Sequence, residues 1–195
     1  MSIKCLKLWA VCALLSVGHV VGVAQSALSD DESAVLSAWL SQEASLTNRN
    51  PILLNPKTSV ALLHVVETFE KFGESLREQV SDKPSEVQLA VSDFLEKNGS
   101  PASVLIDTNI FPKNVITLPV SEEGVEWAKI QKEHPNCGGV IALSRIGMDP
   151  SKKFAVMFVE DCAGPLSVFA RFVVLERKDG RWRVTNKSIG PRMYG

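Results

Sequence analysis

The change from helical to strand periodicity at Gly138 most constrains the fold of this 195-residue chain. After Gly138, apolar runs alternate with turn sequences, and Asp179-Gly180 is typical of a two-residue β-hairpin turn. Connections this short make neighbouring strands antiparallel, so the sequence predicts a four-stranded antiparallel meander. The predicted strands cover residues 140–146, 154–160, 167–177 and 182–189.

The half of the chain before Gly138 has helical periodicity instead. Ser29 and Glu32 have the spacing of a capping box, which predicts a first helix that ends near Leu46. Further helices are predicted over 62–80, 85–98 and 121–134, and short extended segments over 52–54 and 115–118. Helices followed by strands predict an α+β fold with the amino-terminal helices packed on the sheet.

The first 26 residues are predicted to be an export signal. Lys4 and Lys7 precede an almost uncharged run over 8–24, and small residues flank Gln25 as signal peptidase requires. This run is shorter than the roughly 20 residues of a membrane span, so we expect cleavage and no membrane span afterwards. An uncleaved amino-terminal anchor is the alternative. We expect a periplasmic or secreted protein.

The mature chain, residues 27–195, is long enough for one domain with a hydrophobic core. Its predicted division is a mainly helical half over 27–136 and an antiparallel sheet half over 137–195. Its hydrophobic content of 45% argues against disorder.

Two cysteines remain after cleavage, since Cys5 and Cys12 lie in the signal. An oxidising compartment favours a disulfide between Cys137 and Cys162. A hairpin centred on residues 149–150 would place these cysteines opposite each other, at a separation that a disulfide can bridge.

Two alternatives remain open for the same region. His134, Cys137, Asp161 and Cys162 are residue types that bind zinc, and His134 and Cys137 have a plausible local spacing for ligands. A free cysteine thiolate beside a base would instead be a nucleophile or a redox centre. No bound cofactor is expected.

The predicted registers divide the strands into two faces that are both largely apolar. The first face would carry Ile141, Phe158, Arg145 and Arg171 together. These arginines either reach the rim or pair with a helix carboxylate. Alternatively, they bind the carboxylate or phosphate of a small anionic ligand.

Charge is distributed unevenly along the mature chain. Residues 27–136 contain 17 acidic and 9 basic residues, whereas 137–195 contain 5 acidic and 10 basic residues. The two halves either pack against each other or present a basic face to an anionic partner. Nucleic acid is not an expected partner, because the basic residues are dispersed and no known binding module is present.

Three segments carry a resemblance to known proteins: GGVIALSRIG at 138–147, AVMFV at 155–159 and VLERKDGRWRV at 174–184. Together they resemble a loosely defined group of exported bacterial proteins of unknown function. That group shares a Leu-Ser-Arg-Val-Gly-Phe strand and a terminal Asp-Gly-x-Trp hairpin, and here Ile146 and Met148 replace its Val and Phe. The resemblance covers mainly residues 90–186 and implies no activity and no catalytic residue.

The last hairpin is also similar to the final strands of nuclear-transport-factor-2-like cones. This similarity implies that the α+β fold is a cone of that kind or of the cystatin-like kind, with helices that cradle a curved sheet.

The expected function is that of an exported binding or interaction module without catalytic activity. Its partner would be an unknown protein or a small anionic ligand. No nucleophile elbow surrounds Ser144, and no phosphate loop or dinucleotide fingerprint is present. The alternatives are a hydrolase or lyase whose cone-like pocket contains Arg145 and Arg171, and a metal or redox site at Cys137 and Cys162.

Overall fold

The computed structural model describes residues 27–47, 50–59, 69–100, 103–107, 109, 111–119, 126–164, 167–185, 189 and 193–194. The predicted signal at 1–26 lies outside them. The helices are α1 (Asp30–Leu46), α2 (Phe69–Gln79), α3 (Ser85–Asn98) and α4 (Trp127–Glu133). The strands are β1 (Ile52–Leu54), β2 (Val115–Thr117), β3 (Val140–Leu143), β4 (Gly147–Met148), β5 (Phe154–Gly164), β6 (Ser167–Lys178), β7 (Arg181–Val184) and β8 (Met193–Tyr194). No helix in this part of the chain is long and apolar enough to cross a membrane.

Helix α1 has the bounds and the amino-terminal cap that the sequence predicts. The Ser29 hydroxyl accepts a hydrogen bond from the Glu32 backbone N–H at 3.3 Å. The Glu32 carboxylate in turn accepts one from the Ser29 N–H at 3.1 Å. The buried residues of this helix recur at helical spacing, and each large apolar one contributes about 1.5–3 kcal/mol on burial. They are Val35, Leu36, Trp39 and Leu40.

The other helices follow the predictions where the structure describes them. Helix α3 has its predicted bounds, whereas residues 62–68 of the second predicted helix and the predicted start of α4 at Ser121 lie outside the described residues. At the carboxyl end of α3, Gly99 has a φ of −68°, outside the left-handed region. Instead, the Asn98 side chain caps the helix by donating to the Phe94 carbonyl at 2.8 Å.

The sheet is mixed and curled, so the prediction of a four-stranded antiparallel meander is wrong. Its strand order is β2-β1-β3-β5-β6-β7, with β4 also paired to β5 and β8 to β6. Strand β1 pairs in parallel with β2 and β3, and the pairs beyond β3 are antiparallel. Ile52, Leu53 and Leu54 are all buried, as is typical of a strand covered on both faces. With its helices, the sheet forms an α+β fold.

The predicted registers of the first two hairpins are also wrong. As a result, the sequence assigns side chains of these strands to the wrong face of the sheet. Ile141 lies opposite Asp161 across β3 and β5, and Phe158 lies opposite Phe172 across β5 and β6. Ile141 and Phe158 therefore belong to opposite faces, although the sequence predicts them on one face. A shift by an odd number of residues moves every side chain of a strand to the other face. The shifts arise where the chain leaves the ladder after β3 and at a bulge near the end of β5.

Helices cover both faces of the sheet, which explains why both faces are apolar. Helices α2 and α3 pack on the face of Phe172, whose ring centroid lies 5.8 Å from that of Phe72, 5.5 Å from Phe94 and 4.9 Å from Phe158. Ring pairs at these separations stabilise a core beyond simple burial. Helix α1 packs on the other face. There the strands contribute Ile141, Leu143, Ala155, Met157, Val159, Val173, Leu175 and Trp182.

Strand β4 passes so close to α3 that only glycine fits at Gly147. A Cβ atom on Gly147 would lie 2.3 Å from the Ala90 carbonyl oxygen and 2.3 Å from the Phe94 nitrogen. Both neighbours are helical backbone atoms, which cannot move aside independently. This contact fixes how closely α3 approaches the sheet.

We predict that Gly147→Ala destabilises the protein by about 3 kcal/mol, because the added methyl group must push α3 away from β4. Gly164→Ala is the matched control, since a Cβ atom there meets nothing within 4 Å. The measurement is urea unfolding of both variants beside the natural chain. Equal stability of the two variants would contradict the close contact.

Candidate functional site

The connection between β3 and β4, residues 144–146, lies at the centre of a buried hydrogen-bond network. The Ser144 hydroxyl accepts from the Phe158 N–H at 2.8 Å and donates to the Arg145 carbonyl at 2.7 Å. Ser144 is only 2% exposed. Its hydroxyl is therefore used to hold this connection against β5.

The carboxyl-terminal turn of α3 holds the same connection from the other side. The Asn98 side chain accepts from the Arg145 N–H at 3.0 Å and donates to the Arg145 carbonyl at 3.1 Å. The Lys97 ammonium donates to the Ile146 carbonyl at 3.0 Å, and the Asp93 carboxylate accepts from the Met148 N–H at 2.7 Å. These contacts satisfy backbone groups that have left the sheet ladder.

Glu32 links this connection to the start of α1. Its carboxylate accepts from the Arg145 guanidinium through Nε at 3.3 Å and Nη2 at 3.1 Å, and from the Ile146 N–H at 3.3 Å. It also accepts from the Ser29 hydroxyl at 3.0 Å. The Glu32 side chain is 1% exposed and the Arg145 side chain 26% exposed. A buried carboxylate therefore joins α1, β3 and β4.

Two opposing effects set the pKa of Glu32. Burial raises this pKa, because the charged carboxylate loses its hydration. The hydrogen bonds from Arg145 and Ser29, together with the positive charges of Arg145 and Lys97, outweigh burial and lower the pKa below its ordinary value of 4.5. Glu32 is therefore ionised at neutral pH and favours the folded state in that form.

Both arginines that the sequence singles out as ligand-binding candidates contact carboxylates of α1. Arg145 binds Glu32 as described above. Arg171 binds Glu43 at 3.1 Å between its Nη2 and a carboxylate oxygen, and it lies over the Phe169 ring at 5.8 Å. The structure does not bring the two arginines to one open pocket. Instead, it uses each of them to attach α1 to the sheet.

Cys137 and Cys162 do not lie opposite each other as the predicted hairpin register requires. Val140 is the residue opposite Cys162, so these two side chains share a face of the sheet. Cys137 packs in the same buried cluster as Val140. A Cβ atom on Gly139 would lie 2.4 Å from the Cys162 carbonyl oxygen, so the segment after Cys137 contacts Cys162 directly. The disulfide between Cys137 and Cys162 stays a prediction.

The residues of the metal alternative are divided by the sheet. Asp161 lies opposite Ile141, whereas Cys162 is the next residue of β5, and successive side chains of a strand point to opposite faces. His134 ends α4, where its carbonyl accepts from the Cys137 N–H at 3.1 Å. Among the described residues, no group of three or more His, Cys, Asp or Glu is placed to hold a metal ion.

An open cleft of about 480 Å³ lies between α2 and α3, away from all of these residues. Its floor is apolar and its rim carries charges of both signs. It is lined by Phe69, Glu70, Gly73, Arg77, Ser92, Leu95, Glu96 and Gly99.

Basic side chains gather at one end of the sheet, where two turns lie side by side. The turn before β5 touches the end of β6, since the Arg177 N–H donates to the Lys153 carbonyl at 2.7 Å. The turn between β6 and β7 has φ of 51° at Asp179 and 75° at Gly180, as expected for the predicted two-residue hairpin. We call this surface the basic end. Its exposed residues are Lys152, Lys153, Arg177, Lys178, Arg181 and Arg183.

Lysines and arginines of the basic end differ in their partners. Lys152 pairs with Asp31, Lys153 with Glu86 at 3.5 Å, and Lys178 with Glu176 at 3.1 Å.

Arg181 and Arg183 make no ion pair within the described part of the chain. Glu176 lies opposite Arg183 across β6 and β7, but its carboxylate binds Lys178. Both arginines are exposed.

The sequence indicates a basic half of the chain but does not indicate this surface. The Asp179-Gly180 turn was predictable, and basic residues flank it on both sides. The turn at Lys152 and Lys153 lies beside the Asp179-Gly180 turn because of the β5–β6 register, and the sequence does not reveal this register.

We predict that Glu32→Gln destabilises the protein by about 3 kcal/mol at neutral pH, because Arg145 loses its buried counter-charge. The pKa of Glu32 is lower in the folded than in the unfolded protein. Its stabilising contribution is therefore complete above its ordinary pKa and disappears as the pH falls through the folded-state pKa. Urea unfolding at a series of pH values should show the difference between the natural chain and the variant shrinking in acid.

This comparison isolates Glu32 because both proteins keep the other acidic groups. Asp149 in particular also has a lowered pKa: burial raises it, but hydrogen bonds from Phe154, Ser151 and Lys153 outweigh burial. A stability difference that stays constant from neutral to acidic pH would contradict the assigned role of the Glu32 charge.

We predict that Cys137 and Cys162 are joined in the protein exported by its own signal. The closed loop of this length would add about 3 kcal/mol of stability. The measurement is the intact mass of the denatured protein after alkylation, with and without prior reduction. Both thiols should react only after reduction, whereas Cys162→Ser should expose Cys137 without reduction. Alkylation of both thiols in the unreduced natural chain would refute the disulfide.

No protein-family model matches this chain, and neither a curated protein nor a solved structure matches it. Its function must therefore be argued from its own geometry.

Proposed function

We propose that this chain is an exported, non-catalytic interaction module that uses its basic end to bind an anionic partner. The observation that supports this proposal is the contrast between two sets of arginines. Arg145 and Arg171 are held by carboxylates of α1, whereas Arg181 and Arg183 are exposed and make no ion pair within the described residues. Arginine presents a planar fork of donors that matches carboxylate and phosphate groups.

One pair of like charges lies at the tip of the last hairpin. Lys178 lies directly opposite Arg181, and like charges opposite each other destabilise a strand pair. A purely structural hairpin would favour opposite charges at this position. An anionic partner would relieve this repulsion and gain two further charge contacts.

The fold is also consistent with an interaction module. The curled sheet agrees with the cone-like resemblance of the final hairpin, but α1 packs on the face that contains Ile141 and Leu175. The side chains that an enzyme pocket would use, Arg145 and Arg171, contact α1 there. The basic end is a pair of turns that projects from the sheet rather than a concave ligand pocket.

Export supports an extracytoplasmic partner. The uncharged run over 8–24 and the small residues around Gln25 are typical of a cleaved signal. The resemblance over residues 90–186 is to exported bacterial proteins as well. We therefore place the mature module, residues 27–195, in the periplasm or outside the cell.

We predict that the mature protein binds labelled poly-L-aspartate and inorganic polyphosphate in solution. Acidic residues outnumber basic ones in the mature chain, so binding would have to come from a local basic surface. The double variant R181Q/R183Q should weaken binding about tenfold, measured by fluorescence anisotropy.

The matched control is K129Q/K132Q, which removes the same charge from exposed positions of α4. It should bind both polyanions as tightly as the natural chain. No binding to either polyanion, or an equal loss in both variants, would refute the proposed function.

A further inference from the structure

The basic end is built from two adjacent turns. The turn from Asp149 to Lys153 is held by the buried Asp149 carboxylate, which accepts from the N–H groups of Ser151 and Lys153 at 2.9 Å and 2.8 Å. The second turn, at Asp179, lies beside it because Phe154 pairs with Glu176 across β5 and β6. Both turns therefore project their basic side chains from the same end of the sheet.

The three lysines of this end form exposed ion pairs with their carboxylate partners. The side chains of Lys152, Lys153 and Lys178 are 52%, 50% and 60% exposed. Ion pairs as exposed as these contribute little to stability. A dense anionic surface could therefore replace Asp31 and Glu86 as partners of Lys152 and Lys153 at little cost in stability.

We propose that the basic end docks on the headgroups of an anionic phospholipid surface, an inference that rests on the proposed function. The basic side chains of the two turns are exposed and separate, and mobile headgroups can rearrange around each of them. Trp182 is 8% exposed beneath Arg177, so the contact is electrostatic rather than an insertion into the acyl region. Binding of this kind weakens with salt, since charges beyond the Debye length are screened.

The test is flotation of the mature protein with vesicles of phosphatidylcholine alone or of phosphatidylcholine mixed with phosphatidylglycerol. Binding is expected only to the phosphatidylglycerol vesicles and should be lost at high salt. R181Q/R183Q should partition roughly 30-fold more weakly, equivalent to about 1 kcal/mol for each arginine. K129Q/K132Q, which removes the same charge from α4, should partition like the natural chain.

The same preparations are titrated with poly-L-aspartate and with inorganic polyphosphate, so that the two proposals can fail separately. Binding to either polyanion without binding to phosphatidylglycerol vesicles would overturn the membrane inference and leave the proposed function intact; the partner would then be an acidic protein segment or a soluble phosphate compound. Equal binding to both vesicle types, or unchanged binding by R181Q/R183Q, would also overturn the membrane inference. Failure to bind any of these anions would refute both proposals.

Discussion

The ion pair between Glu32 and Arg145 is the interaction on which the arrangement of this fold depends. One buried carboxylate receives donors from the cap of α1, from the Arg145 guanidinium and from the Ile146 backbone. The connection between β3 and β4 can leave the sheet ladder because Glu32 and Asn98 satisfy its backbone groups. Helix α1 is thereby fixed on one face of the sheet and α3 on the other.

This arrangement also decides which parts of the molecule are available for function. With a helical layer on each face, the central strands are buried, and Phe154 to Glu160 of β5 are buried without exception. Arg145 and Arg171, which stood out from the sequence, are used to hold α1. The exposed ends of the sheet remain, and one of them carries the exposed Arg181 and Arg183.

Local features of the fold were predictable, whereas features that depend on strand register were not. The capping box at Ser29 and the Asp179-Gly180 turn each depend on a few consecutive residues, and both are present. The partnership of Glu32 with Arg145 joins residues 113 positions apart, and no local pattern indicates it. The predicted registers of β3 and β6 against β5 are wrong by an odd number of residues, so the side chains of these strands are assigned to the wrong faces. The basic end depends on the same β5–β6 register, and for this reason it could not be predicted from the sequence.

Arg145, which is only partly exposed, therefore serves the fold, and we propose that the exposed Arg181 and Arg183 serve a partner. The most direct measurement is the free energy of unfolding of R145Q and of R181Q/R183Q, determined side by side in urea without any ligand. We expect the free energy of unfolding to fall by about 3 kcal/mol in R145Q, because this change leaves the Glu32 charge buried and without its arginine partner. We expect no fall in the free energy of unfolding for R181Q/R183Q, because this change removes only two exposed charges and the repulsion between Arg181 and Lys178. A comparable loss of stability in both variants would give Arg181 and Arg183 a structural role as well, and would contradict this division of roles.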